Sequence, residues 1–138
     1  MPNIKQGSDG GMGFEGRDTG NGPLTLGTVN YSVPGTGTAL LLFYTTRSMI
    51  LDALKGRTTV AGTGGACTAT VYMAPSGTAP ASGTALHSGT FNLVGTVNTD
   101  QALTLTTTLV PAEYAVYVVF TGTATSATGG ITALGRPA

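Results

Sequence analysis

The stretch Tyr114-Ala115-Val116-Tyr117-Val118-Val119-Phe120 is seven apolar residues long and rich in β-branched and aromatic side chains. Pro111 precedes it and Gly122 follows it, so turn residues stand on both sides of a segment of strand length. This pattern predicts a buried β-strand rather than a helix. A strand that is apolar on both faces needs cover on both faces, which places it in the middle of a packed β domain.

The segments around this strand alternate with a period of two. Residues 66–74 place Thr68, Thr70 and Tyr72 on one face and Cys67, Ala69 and Val71 on the other, as expected for a half-buried strand. The other predicted strands are 24–29, 38–46, 84–87 with 90–97, 102–106 and 129–134. The turns between them carry Gly, Pro, Ser and Asn, and no βαβ rhythm occurs. The sequence therefore predicts an all-β antiparallel sandwich of about eight strands, with a jelly roll ahead of an immunoglobulin-like topology.

The segment Arg47–Val60 is ambiguous between strand and helix. Its apolar residues Met49, Ile50, Leu51, Ala53 and Leu54 fit one or two helical turns, and its charged residues would suit a helix surface. A strand is favoured, because the segment lies between predicted strands and ends in Thr58-Thr59-Val60.

Charge is scarce in this chain of 138 residues. Six basic and six acidic side chains cancel and make up only 9% of the residues, and none lies between Thr58 and Thr99. The balance predicts no binding to nucleic acid or to an anionic membrane surface. No run approaches the ~20 apolar residues of a membrane-spanning helix, and residues 1–5 begin no signal-peptide core. A surface with so little charge predicts a homo-oligomer or an assembly component.

Residues 1–22 differ from the rest of the chain, which forms the predicted sandwich domain 23–138. Seven of these 22 residues are Gly, and they hold five of the twelve charged residues. Such a segment buries too little apolar surface to offset its ordering entropy, so we expect a flexible arm that becomes ordered on a partner. The alternative is a loose terminus without a role. The candidate partner-binding residues of the arm are Ile4, Lys5, Met12, Phe14 and Arg17.

The stretch 11–16, Gly-Met-Gly-Phe-Glu-Gly, matches the dinucleotide pattern GxGxxG. The motif works only between a strand and a helix N-terminus, whereas here a Gly-rich segment precedes it and Gly20-Asn21-Gly22-Pro23 follows. No nucleotide or other cofactor is predicted.

The sequence contains few candidate residues for a catalytic or metal site. The only histidine, His87, could form a hydrolase triad only with Asp52 or Asp100, and no G-x-S-x-G elbow exists. It is expected to be an ordinary surface or hydrogen-bonded residue. The lone Cys67 excludes an internal disulfide and is expected to be a buried strand residue. No carboxylate pair stands out among Asp52, Asp100 and Glu113, so the sequence predicts no enzyme and no metal site.

Three stretches of the chain resemble small structural proteins of tailed bacteriophages, and capsid decoration (cement) proteins most of all. They are residues 58–65 (TTVAGTGG), 96–105 (TVNTDQALTL) and 110–117 (VPAEYAVY). The resemblance implies a β-sandwich, often trimeric, that clamps neighbouring subunits of the phage major capsid protein and stabilises the filled shell. It also implies a location on the capsid surface, after synthesis in the host bacterial cytoplasm. The arm would then reach across the coat.

Two other functions remain open. A tail-fibre or receptor-binding sandwich would bind host glycan through loops such as Pro75–Ser82, with Tyr31, Tyr44 or Tyr72 stacking on a sugar ring. An adhesion or carbohydrate-binding domain of a bacterial surface protein would need a secretion signal. The absence of Trp counts against both, and the sequon at Asn30-Tyr31-Ser32 is interpreted as a coincidence.

Overall fold

The computed structural model describes residues 23–32 and 36–138 of the chain. These residues form ten strands: β1 (Leu24–Ser32), β2 (Ala39–Tyr44), β3 (Met49–Val60), β4 (Cys67–Pro75), β5 (Thr84–Ala85), β6 (Phe91–Asn92), β7 (Asp100–Ala102), β8 (Leu109–Val110), β9 (Tyr114–Gly122) and β10 (Thr128–Pro137). A single 3₁₀ turn, Pro80–Ser82, is the only helical element among the described residues. The protein is thus an all-β domain, as predicted.

The strands form two five-stranded antiparallel sheets. The first sheet has the order β1–β10–β3, with β7 and β8 both on the far side of β3. The second has the order β2–β9–β4, with β5 and β6 both on the far side of β4. Early strands alternate between the sheets, and β1 and β2 pair with the last two long strands, which is jelly-roll order. The short strands β7 and β8 together fill one strand position beside β3, and β5 and β6 together fill one beside β4. The ten strands therefore occupy the eight strand positions of a jelly roll.

Strand β9, which contains the apolar stretch, lies in the middle of the second sheet between β2 and β4. Val116, Val118 and Phe120 point into the core and are fully buried. The expectation of cover on both faces is wrong for Ala115 and Tyr117, which stay half-exposed on the outer face. Aromatic and apolar residues on this outer face make it a candidate contact surface.

The ambiguous segment is strand β3, as favoured. Leu51 and Leu54 are both buried although three positions separate them, a spacing typical of a helix. The cause is a β-bulge: Leu134 pairs with Ala53 and Gly135 pairs with Leu51, so Asp52 is the extra residue. Since a bulge inserts one residue into the alternation, it produces a helix-like spacing within a strand.

Side chains from the two inner faces interdigitate to form the core. The Tyr31 ring of the first sheet packs on the Phe120 ring of the second, with centroids 5.4 Å apart. Phe91 occupies the space over Gly56, where a Cβ would lie 2.9 Å from two ring atoms. The two sheets are therefore joined by aromatic contacts that leave no room for a larger residue at position 56.

The prediction of a strand over residues 102–106 is wrong, since the ladder of β7 ends at Ala102. Leu103 still donates to the Leu54 carbonyl (3.2 Å), but Thr106 donates to the Leu86 carbonyl (2.9 Å). The chain keeps its alternation there while its hydrogen bonds change from one sheet to the other. Alternation alone does not reveal such a crossing.

The predicted arm, residues 1–22 with Ile4, Lys5, Met12, Phe14 and Arg17, lies outside the described residues, as does the turn at Pro34-Gly35. In the part of the chain that is described, no helix has the length and apolar character needed to cross a bilayer.

Candidate functional site

His87 is a structural residue of the core. It is 5% exposed, and its Nε2 accepts a hydrogen bond from the Val71 backbone N–H at 2.9 Å. The ring proton therefore sits on Nδ1, which lies 3.2 Å from the Ser88 carbonyl oxygen. Burial lowers the pKa of this imidazole, which favours the neutral ring. The expectation of a hydrogen-bonded histidine is confirmed, and neither Asp52 nor Asp100 is among its partners.

Two further residues of interest point inward. Cys67 is buried as predicted, and burial raises the pKa of its thiol. Tyr31, considered above as a platform for a sugar ring, is 2% exposed and donates or accepts a hydrogen bond at 3.0 Å with the Thr58 hydroxyl. Burial raises the pKa of Tyr31. That suggestion is wrong for Tyr31, because alternation with the exposed Asn30 turns its ring into the core.

The three acidic residues considered for catalysis have separate partners. Asp52 forms an ion pair with Arg136, and Asp100 forms one with Arg57. Glu113 accepts a hydrogen bond from the Tyr44 hydroxyl at 2.8 Å. Within residues 23–32 and 36–138, no group of three or more His, Cys, Asp or Glu side chains could share a metal ion.

A groove crosses the outer face of the second sheet and is named here the tyrosine groove. Its volume is about 350 Å³. It is lined by Leu41, Tyr44, Ala74, Pro75, Ser76, Gly77, Thr78, Glu113, Ala115 and Tyr117. Leu41 is 55% exposed and Tyr44 is 52% exposed, and Glu113 is the only charged residue of the lining. Exposed aromatic and aliphatic side chains around a single carboxylate make this a surface suited to another protein.

The wall of the groove is held by a buried threonine. The Thr45 hydroxyl donates to the Pro111 carbonyl at 2.7 Å and accepts from the Tyr114 N–H at 3.0 Å. Glu113, whose N–H donates to the Thr45 carbonyl at 2.8 Å, has a φ of 65°, a left-handed conformation that is unusual for Glu. These bonds fix the carboxylate beside Tyr44, and the hydrogen bond to Glu113 raises the pKa of that phenol.

A second surface lies on the outer face of the first sheet and is named here the polar notch. Strand pairing aligns Asn30, Gly130, Arg57 and Asp100 in one row across β1, β10, β3 and β7. The next row contains Thr28, Thr132 and Lys55. Because Gly130 has no side chain, a depression opens between Asn30 and Arg57.

The polar notch contains both charged and hydroxyl groups. Arg57 contacts one carboxylate oxygen of Asp100 through Nε at 2.7 Å and Nη2 at 2.6 Å. The hydroxyls of Thr28 and Thr132 lie 3.1 Å apart. Two adjoining depressions, of about 350 Å³ and 460 Å³, share Asn30, Arg57 and Gly130. The notch therefore continues along the sheet toward Ser32 and Thr128.

Sequence reasoning identified only parts of these two surfaces. Tyr44 and the Pro75–Ser82 loop were both considered, and the structure brings Tyr44 together with the first half of that loop. Tyr72 lies half-buried on the same sheet, opposite Tyr117. Lys55 and Arg57 were missed, although two residues at i and i+2 of a strand share a face. Their meeting with Asn30 and Asp100 depends on strand order.

No protein-family model matches the chain, and a search of curated proteins finds no match. Solved structures with a similar arrangement include the VP2 subviral particle of infectious bursal disease virus, with 17% identity, a TM-score of 0.35 and coverage of 83% of this chain. The Gt strain of that virus gives 18% identity, a TM-score of 0.34 and 97% coverage. T=1 particles derived from it give 15% identity, a TM-score of 0.34 and 99% coverage.

The chain spans about a third of the length of these solved chains, with 32%, 36% and 36% covered. All three are described as structures of infectious bursal disease virus or of particles derived from it, and none is described as a phage decoration protein. TM-scores of 0.34–0.35 at such identities assign neither a family nor a function to the chain.

Proposed function

We propose that this chain is a structural protein of a virus particle and, more narrowly, a phage decoration protein that docks on the coat through the tyrosine groove. The observation that carries the proposal is the groove itself, an exposed apolar and aromatic surface on a domain with little charge. Interface centres are enriched in Tyr and depleted of Lys, Glu and Asp. The groove has this composition, with Tyr44 and Tyr117 in its lining and one carboxylate.

Strand pairing and hydrogen bonds form the groove without a partner. Tyr117 stands on the central strand β9, and its neighbours across the sheet are Leu41 and Tyr72. The Thr45 hydrogen bonds hold the turn that carries Glu113. A preformed surface loses little entropy on binding, so a modest contact area is sufficient when many copies bind one lattice.

The arm, residues 1–22, has a second role in this proposal. Ile4, Lys5, Met12, Phe14 and Arg17 contact neighbouring coat subunits, and the segment orders only on the shell. A homo-oligomer, a trimer by the resemblance, places several grooves and arms on the same lattice. Segments that fold on binding can span wide surfaces at an ordering cost.

The test is co-sedimentation of the purified chain with filled and emptied heads of tailed phages, after its mass in solution has been measured. We expect an oligomer that binds filled heads in fixed stoichiometry. Leu41→Ser should weaken this binding about ten-fold or more, because the variant loses the apolar side chain that docking would bury, worth about 1.5–3 kcal/mol. The matched control is Leu109→Ser, because Leu109 is 48% exposed but lies on the first sheet.

A chain without residues 1–22 should keep its fold and bind the heads more weakly. Equal binding by the full and shortened chains would remove the arm from the mechanism. Equal losses for Leu41→Ser and Leu109→Ser would show that the groove is not the docking surface. A monomer that binds no heads but binds glycans would favour the receptor-binding alternative, whose Tyr44 and Pro75–Ser82 loop meet at the tyrosine groove.

A further inference from the structure

The outer face of the first sheet concentrates charge in a chain that has little of it. Of the twelve charged residues, five lie in residues 1–22, which leaves seven for residues 23–138. Three of those seven, Lys55, Arg57 and Asp100, line the polar notch. Charges kept only for solubility would be spread over the surface. We propose that the polar notch binds a carboxylated sugar, a ring that carries one carboxylate and several hydroxyls.

Arg57 is prepared for the carboxylate. Asp100 holds the guanidinium through Nε and Nη2, both on one oxygen, and this pairing does not use Nη1. Both side chains of this pair are more than half exposed, so the remaining guanidinium N–H groups face solvent, where a carboxylate can accept from them in the planar geometry typical of Arg. Lys55 adds a second cation on the same face, so two cations and one carboxylate give the notch one net positive charge. This favours an anion over a neutral ligand.

The remaining groups suit the hydroxyls of a sugar. A hydroxyl both donates and accepts, and the Asn30 amide, on the other side of Gly130 from Arg57, offers a donor and an acceptor together. Thr28 and Thr132 add two hydroxyls at the edge of the notch. A polyhydroxylated ring can give each of these groups a hydrogen-bond partner.

The absence of a side chain at Gly130 gives the notch its depth. A Cβ at this position would lie 3.2 Å from Asn30 Oδ1, so a larger side chain would fill the depression while remaining on the outer face. The two adjoining depressions have volumes of about 350 Å³ and 460 Å³ and are both open to solvent. Since the notch is on the sheet opposite the tyrosine groove, this inference does not depend on the proposed function.

The experiment is an NMR titration of the full ¹⁵N-labelled chain with glucuronic acid and with N-acetylneuraminic acid. Glucose serves as the neutral probe. Both acids should shift the amide signals of Asn30, Arg57 and Gly130, and glucose should bind about ten-fold more weakly or worse, because it lacks the charge-assisted bond. Added salt should weaken the binding of the acids, since the notch is open to solvent.

Four variants, one of them a control, locate the site. Arg57→Gln should reduce the affinity for the acidic sugars about ten-fold or more. Arg136→Gln is the matched control, because Arg136 pairs with Asp52 on the same sheet outside the notch and its loss should leave sugar binding unchanged. Gly130→Val should abolish binding by filling the depression, and Lys55→Gln tests the charge if the Gly130 variant does not fold.

Equal affinity for glucose and the acids would overturn the inference, as would binding that Arg57→Gln and Arg136→Gln weaken equally. Signals that shift at Tyr44 and Tyr117 instead would move the sugar to the tyrosine groove and also overturn it. The absence of any binding by either acid has the same consequence. Co-sedimentation with phage heads is a separate readout, and the notch variants should leave it unchanged, so the two proposals can fail independently.

Discussion

The two outer faces of this sandwich are built on the same strand alternation but present different side chains at their two candidate sites. The outer face of the second sheet presents Leu41, Tyr44 and Tyr117 around one carboxylate. That of the first sheet presents hydroxyls, an amide, two cations and a carboxylate around Gly130. The inner faces show no such difference, since both are apolar and interdigitate.

The contrast shows which strand positions the fold constrains and which it does not. Inward positions must be apolar because a sandwich core excludes water, so they differ little between the sheets. Outward positions have no such requirement, and the two candidate sites carry different side chains: aromatic and aliphatic groups with one carboxylate at the tyrosine groove, and three charged groups with hydroxyls and an amide at the polar notch. Fold alone does not decide function, and the difference between the outer faces is the basis of the two separate binding proposals.

The largest expected effect comes from a substitution in the core, at the contact between the two sheets. Phe120 is fully buried and packs on Tyr31 across the sheets. Phe120→Ala should reduce the free energy of unfolding by about 3–5 kcal/mol, through lost burial and a cavity. Urea denaturation measures this loss, and both the groove and the notch should lose function together. If Phe120→Ala left the free energy of unfolding unchanged and weakened binding at one outer face alone, the sheets would be less coupled than their contact indicates.

A smaller effect should separate the faces. Thr45→Val removes two hydrogen bonds that hold the turn beside the tyrosine groove, and we expect a loss of about 1–3 kcal/mol in the free energy of unfolding. Binding to phage heads should weaken while sugar binding at the polar notch stays unchanged. The control is Thr58→Val, which removes the hydroxyl partner of Tyr31 on the first sheet. If the control weakens head binding as much, the turn has no special role.

Much of the fold could be predicted from the sequence, since β4 follows a period of two and β9 contains a continuous apolar run of strand length. The limits are physical and local. The bulge at Asp52 gave a strand the spacing of a helix, and the crossing after Ala102 kept alternation while changing sheets. Neither event changes the apolar pattern that the sequence presents. Both the bulge and the crossing are defined by the hydrogen-bond pairing of the backbone, which the hydrophobic pattern does not reveal.

The candidate surfaces were harder to predict, because each combines residues from strands that are distant in sequence. Arg57 meets Asp100 and Asn30 only through the jelly-roll order of four strands. Tyr31 was wrongly considered as a surface platform for a sugar ring. Val29 and Tyr31 lie two positions apart on one strand, so both point inward. The arm residues lie outside the described part of the chain, so their role stays a prediction.

The smallest expected effect is on stability and involves neither outer face. It is the pH dependence of the free energy of unfolding, which must be known before a pH effect on binding can be assigned to either face. Burial lowers the pKa of His87 in the folded chain, so below the ordinary value of about 6.5 the unfolded chain binds a proton that the folded chain does not. The free energy of unfolding should therefore be fully present above that pH and fall as the pH is lowered toward the folded pKa.

Thermal melting between pH 7.5 and 5.5 measures the effect, and His87→Gln should abolish this dependence because its amide oxygen can accept the Val71 N–H without titrating. Parallel curves for the two chains would show that another group is responsible, and an NMR titration of the imidazole would then show whether its pKa is lowered at all. If the prediction holds, a loss of head or sugar binding in mild acid that the His87→Gln variant does not share comes from the core. A loss that both chains share comes from the faces themselves.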